Sequence, residues 1–209
     1  AGAGLAYATF DEVDRLTRLR APTPPEVTTD VIVRNAKDEE GNRASFRILL
    51  FTDEFRWKMS SYEELESFDH PAFTPEMKSV LTRAKEVIVV GASSEEVAPG
   101  LAQQAARKKE ETRAARRASR IALWVREALT KPIPIRKLNV GHHTSTGGGD
   151  DTSDQRRVVI ILVLDRQDGT NVDEALRAAM THESVNSPIF KVLLSRYSLA
   201  TGKSFTWVE

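Results

Sequence analysis

Two uninterrupted apolar runs, Val87-Ile88-Val89-Val90 and residues 158–164 (VVIILVL), constrain the fold of this chain more than any other feature. Successive side chains of a strand point to opposite faces, so a strand apolar at every position must be covered on both sides. Neither run approaches the roughly 18 apolar residues of a membrane span. Each therefore predicts an interior strand, with 158–164 the most central. Strand composition also marks 27–34 and 44–52, separated by the turn-rich Lys37-Asp38-Glu39-Glu40-Gly41-Asn42, which predicts a hairpin. Further strands are expected at 135–140 and 204–208.

Helix signals fall between these strands. Thr74 followed by Pro75 is an N-cap with proline at the first helical position, and Met77, Val80, Leu81 and Ala84 supply an apolar stripe. A long helix is expected from about 100 to 130, where Ala114, Ala118, Ile121, Val125 and Ala128 recur at core-facing spacing. Pro132 and Pro134 end it. Some 80–100° round that helix, by its geometry of about 100° per residue, Arg113, Arg117, Arg120 and Trp124 also align. Val172, Leu176, Ala179 and Met180 share another helical face, and Ser187-Pro188 opens a further helical segment with Ile189, Val192 and Leu193. The order predicts an α/β (α+β) two-layer sandwich. Its divisions are an N-terminal helix (near 9–20) with the Pro-rich connector Ala21-Pro22-Thr23-Pro24-Pro25 in residues 1–26, a domain at 27–167, and a C-terminal helical extension at 168–209 packed on it.

Charge narrows the classes of partner. The 30 Lys+Arg balance the 30 Asp+Glu, so no net field draws the chain to phosphate, and a nucleic-acid partner is not expected. The window 53–69 carries six acids and two bases and is expected to be a solvated surface segment; 107–120 carries seven bases and two acids. With no cysteine, disulfide frameworks, thiol catalysis and Cys-based zinc sites are excluded.

No catalytic set emerges. His142 and His143 are adjacent, and neighbours on an extended chain point apart, so they are poorly placed to share a metal. With Asp150 and Asp151 they define a metal-dependent alternative that the plainer expectation, a hydrophilic loop at 141–154, outweighs. Gly147-Gly148-Gly149 lacks the phosphate-loop pattern, and Gly91-Ala92-Ser93-Ser94 lacks the closing glycine of a nucleophile elbow. The arginine stripe is the strongest surface feature, since guanidinium forks suit carboxylates. Ser93, Ser94, Glu95 and Glu96 follow a strand, where ligands of α/β sheets bind. Against a pocket there stands the reading of Arg113 to Arg120 as a solvated face paired with Glu110 and Glu111.

These motifs resemble the OmpA-like peptidoglycan-binding domain over residues 44–165, roughly three-fifths of the chain. Thr74-Pro75-Glu76-Met77 resembles the start of that family's first helix, and 87–94 (VIVVGASS) stands where its strand ends in Gly-His-Thr-Asp. Arg117-Ala118-Ser119-Arg120-Ile121 fits Arg-Ala-x-x-Val; Leu138-Asn139-Val140-Gly141 resembles the third strand, and Gln155-Arg156-Arg157-Val158 the entry of the last. The resemblance implies a β-α-β-α-β-β core and no catalysis or cofactor. It also implies a cell-envelope, periplasmic location, with anchoring through an N-terminal region that precedes this chain. In the family, an Asp after the second strand and the Arg of Arg-Ala bind the amine and carboxylate of a diaminopimelate-type side chain. Here Ser94 replaces that Asp, with Glu95 beside it, and the interval from Gly91 to Arg117 is longer. The implied ligand set is Ser93, Ser94, Glu95, Arg113, Arg117 and Arg156. The implied partner is peptidoglycan or an envelope protein. An assembly module that has lost wall binding, including a homodimer, is the alternative.

Overall fold

The computed structural model describes residues 27–51, 55–66, 73–94, 103–144, 152–181 and 196–209. Strands β1 (Val27–Lys37) and β2 (Arg43–Phe51) form the expected antiparallel hairpin, with Val31 opposite Ile48 and Val33 opposite Phe46. Its turn is closed by Asp38, whose carboxylate accepts from the backbone N–H of Asn42 (2.8 Å) and from that of Asn171 (2.9 Å). Gly41 turns there at φ 88°, a conformation that glycine adopts without a Cβ penalty.

Helix α1 (Pro75–Arg83) begins as the sequence indicates, Thr74 Oγ1 accepting from Met77 N at 3.1 Å. Strand β3 (Glu86–Ser93) follows, then α2 (Gln103–Ala128), β4 (Ile135–His142), a 3-10 turn (Ser153–Arg156), β5 (Val159–Arg166), α3 (Val172–Thr181) and β6 (Thr206–Val208). The sheet order is β1-β2-β5-β3-β4-β6. β5 pairs antiparallel with β2 and β3, whereas β3 and β4 run parallel with α2 as their crossover. From β2 to β5 the chain thus has the β-α-β-α-β-β order that the resemblance implies.

The two apolar runs occupy the middle of this sheet, and every residue of β3 is buried. One face packs under α1, α2 and the 55–66 segment through Leu81, Val87, Val89, Ile121, Val125 and Ile160. That is the two-layer core. The opposite face carries Ile88, Val90, Ile161 and Val163 and is covered by α3, through Ala175, Leu176 and Met180, and by Tyr197 and Phe205. Helix α3, with Tyr197 and Phe205, thereby supplies the second cover that β3 and β5 require. The helical expectations at 9–20 and 187–193, the connector at 21–25, and Glu95, Glu96, Asp150 and Asp151 lie outside the described residues.

Two local expectations are corrected. Residues 55–66 are not a solvated surface segment: Phe55, Trp57 and Leu65 are core residues, with Trp57 0% exposed. The hydrophilic loop expected from 141 begins later, because Gly141 and His142 continue β4 and His143 bridges to Tyr197.

Candidate functional site

The geometry at the end of β3 starts from Gly91. A Cβ built there would lie 1.9 Å from the Ala114 carbonyl oxygen and 2.8 Å from Ala118 Cβ. Only glycine in the strand, facing alanines on the helix, lets the two backbones come this close. The close approach sets the height of α2 over the sheet and brings its polar side chains to the strand's last residues. Ser93 Oγ donates to Glu110 O (2.9 Å), and Arg117 Nη1 donates to Ala92 O (2.8 Å).

Arg117 is fully buried. Its Nε donates to Ser61 O at 2.9 Å, and its guanidinium lies 5.5 Å from the centroid of Trp57. Trp57 in turn stacks on Trp124 of α2, with centroids 5.3 Å apart and planes inclined by 16°. The covering segment is a small antiparallel loop, Trp57 bridging Leu65 and Lys58 N donating to Glu64 O. Arg156 holds its other side: Arg156 Nη1 donates to Trp57 O and to Glu66 Oε1, both at 2.9 Å, while Trp57 N donates back to Arg156 O. Burial works to raise the pKa of the Glu66 carboxyl. The Arg156 hydrogen bond and the charges of Arg56 and Arg156 outweigh it and hold the group below the usual glutamate value. Arg116 adds a cation–π contact to Tyr62 at 4.7 Å. We call residues 55–66 the strap.

Arg113 belongs to a different pair. Its Nη1 donates to Glu110 at 2.6 and 2.5 Å, with both side chains buried. The expectation of an arginine-lined surface is therefore corrected: Arg113, Arg117 and Trp124 of the stripe are buried, as neither a solvated face nor an open cation row. The Trp124 at the end of the stripe was the sequence feature that could have marked it as covered.

Of the implied ligand set, Ser93, Ser94, Arg113 and Arg117 gather where β3 ends against α2, all four buried, and Arg156 reaches the same strap through the Trp57 backbone. Sequence reasoning missed Trp57, Ser61 and Glu66, which complete this network. At the end of neighbouring β4, the two histidines diverge as strand geometry requires. His142 Nδ1 lies 3.5 Å from Glu111 Oε1, and the His143 ring meets Tyr197 edge-on at 5.1 Å. Ser198 Oγ donates to the same Glu111 oxygen at 2.9 Å. Among the described residues no group of three or more His, Asp or Glu side chains could hold a metal ion, and no helix is long and apolar enough to cross a membrane.

Chemically, the network is a set of charged donors spent on backbone carbonyls and carboxylates of the same chain. Such bonds to ionised donors are worth about 1.5–3 kcal/mol each, and a buried carbonyl left unmatched costs about 1–3 kcal/mol. The arginines thus join α2, β3, the strap and the entry to β5 into one unit.

No family model matches the chain, and no curated protein matches it. Among solved structures, it is similar to the OmpA-like domain of FopA1 from Francisella tularensis subsp. tularensis SCHU S4, at 10% identity and a TM-score of 0.34, covering 69% of this chain and 97% of that one. It is also similar to the periplasmic domain of MotB, at 14% identity and a TM-score of 0.33, covering 76% of this chain and 85% of that one.

Proposed function

We propose that this chain is a non-catalytic module of the cell envelope, with the element order of OmpA-like domains, that serves structural assembly. Two things support the envelope assignment: the motif resemblance, and the β-α-β-α-β-β order from β2 to β5. The assembly role rests on one observation, the fully buried Arg117 guanidinium hydrogen-bonded to Ser61 O and Ala92 O. An arginine committed in this way holds the strap to the strand end. To grip a carboxylate it would first have to be uncovered, because the whole side chain is buried.

Peptidoglycan binding is the second reading, favoured by the meeting of Arg117 with the end of β3 beside Ser93 and Ser94. It requires an ammonium partner, for which the neutral Ser94 hydroxyl is a poor substitute for a carboxylate. Co-sedimentation with purified sacculi separates the two. The assembly reading expects the native chain to stay in the supernatant at physiological salt. Retention of the native chain, lost in a folded Arg117→Lys variant, would establish the second reading in its place.

A further inference from the structure

Strand β1 ends the sheet, and among the described residues nothing pairs with its outer edge. An open edge presents a row of backbone donors and acceptors, and proteins usually protect it with charges or bulges. β1 has both, but their placement is self-complementary. Its regular pairing with β2 begins after an irregularity at Val27/Thr29, and the extended run stops at Asn35, where φ is 56°. Between them, Asp30, Ile32 and Arg34 alternate along one face, all exposed, and Ile32 is one of the few exposed large apolar side chains among the described residues, at 44%.

We infer that this edge pairs with the same edge of a second copy, antiparallel, about a two-fold axis at Ile32. A two-fold axis perpendicular to a continuous sheet keeps every side chain on its own face, so one residue must face its own copy. That leaves few registers. Centring on Asp30 or Arg34 sets like charges together, which is unfavourable. Centring on Val31 or Val33 places Ile32 opposite Asp30 or Arg34. Centring on Ile32 puts Asp30 of each copy opposite Arg34 of the other, twice, with the two Ile32 side chains in contact. On the other face Val31 then meets Val33 of the second copy, continuing the apolar layer to which both belong. Asp30 already holds Arg47 through bonds of 2.8 and 2.6 Å, so its carboxylate is oriented on this face beforehand. The product is a single sheet of two six-stranded halves. The contact spans only about five residues per strand, roughly 17 Å, so association is weak and concentration-dependent.

The absence of native cysteine makes the test direct. Paired antiparallel residues have Cα atoms about 4.5–5.5 Å apart, within the disulfide range of about 4.4–6.8 Å. Ile32→Cys in the full chain under mild oxidation is expected to cross-link at least about 10-fold faster than Met59→Cys, a control that is more solvent-accessible, at 56% exposure. Arg34→Glu added to Ile32→Cys is expected to remove that advantage, and to shift the cysteine-free chain toward monomer in sedimentation velocity. Circular dichroism of each variant checks that the hairpin is intact. Equal cross-linking rates at positions 32 and 59, or a dimer indifferent to Arg34→Glu, would overturn the inference.

Discussion

Replacing Gly91 with alanine tests whether the height of α2 is set by a missing side chain. The added Cβ would lie 1.9 Å from Ala114 O, where ordinary contact begins at 3.4 Å, so strand and helix must separate by about 1.5 Å along that line. The obstructing atoms are backbone or Cβ, so no rotamer change relieves the overlap. Overpacking of this kind costs about 1–3 kcal/mol. The separation also stretches the bonds Arg117–Ala92 (2.8 Å) and Ser93–Glu110 (2.9 Å), and losing one such buried bond adds about 1–3 kcal/mol. Alanine returns only about 0.4–1 kcal/mol by restricting the unfolded chain. The expected net loss is about 3 kcal/mol, which for a chain of this size lowers the melting temperature by about 6–12 °C. Urea unfolding followed by far-UV circular dichroism measures it. A loss below about 0.5 kcal/mol, the scale of an ordinary surface substitution, would refute the close-approach argument.

Three further outcomes are expected. Because Glu66 titrates below its ordinary 4.5, its contribution is complete above that value and is lost as the pH falls through the lowered folded value. Acid should therefore loosen the strap, visible as a change in tryptophan fluorescence as the pH falls below 4.5, and Glu66→Gln should flatten that dependence. Arg156→Met leaves Trp57 O without its guanidinium donor and is expected to cost about 1–3 kcal/mol in urea unfolding; a change under about 0.5 kcal/mol would show that the contact holds nothing. Asp38→Ala removes the acceptor of Asn42 N and Asn171 N, so amide exchange should accelerate at both residues while α2 stays protected.

What was legible in the sequence was what local chemistry dictates. Thr74-Pro75 marked the start of α1, the unbroken apolar runs marked the interior strands, and the alternation of alanines and Ile121 marked the core face of α2. The arginine stripe was placed correctly around the helix, but not its burial. Side chains about a quarter-turn from the core lie at a boundary, and whether they are covered depends on a segment distant in sequence. That segment was obscured because it lies in a window, 53–69, with six acids and two bases, and because the alternation of Phe55 and Trp57 is too short to mark a strand. Trp57 is buried by long-range packing against Trp124, and the Phe55 ring lies against Phe51. Gly91 was visible as the end of an apolar run, but its role required the facing Ala114 and Ala118.

On the proposed reading Arg117 is an internal clamp rather than an open ligand arginine. The most direct measurement is the NMR resonance of its Nε–H, assigned by comparison with Arg117→Lys and followed by solvent exchange and by titration with a diaminopimelate-containing muropeptide. A clamped Arg117 has a slowly exchanging Nε–H, held by Ser61 O and shielded by Trp57, whose shift does not change with the muropeptide. A rapidly exchanging Nε–H that moves in a saturable way on titration would contradict it.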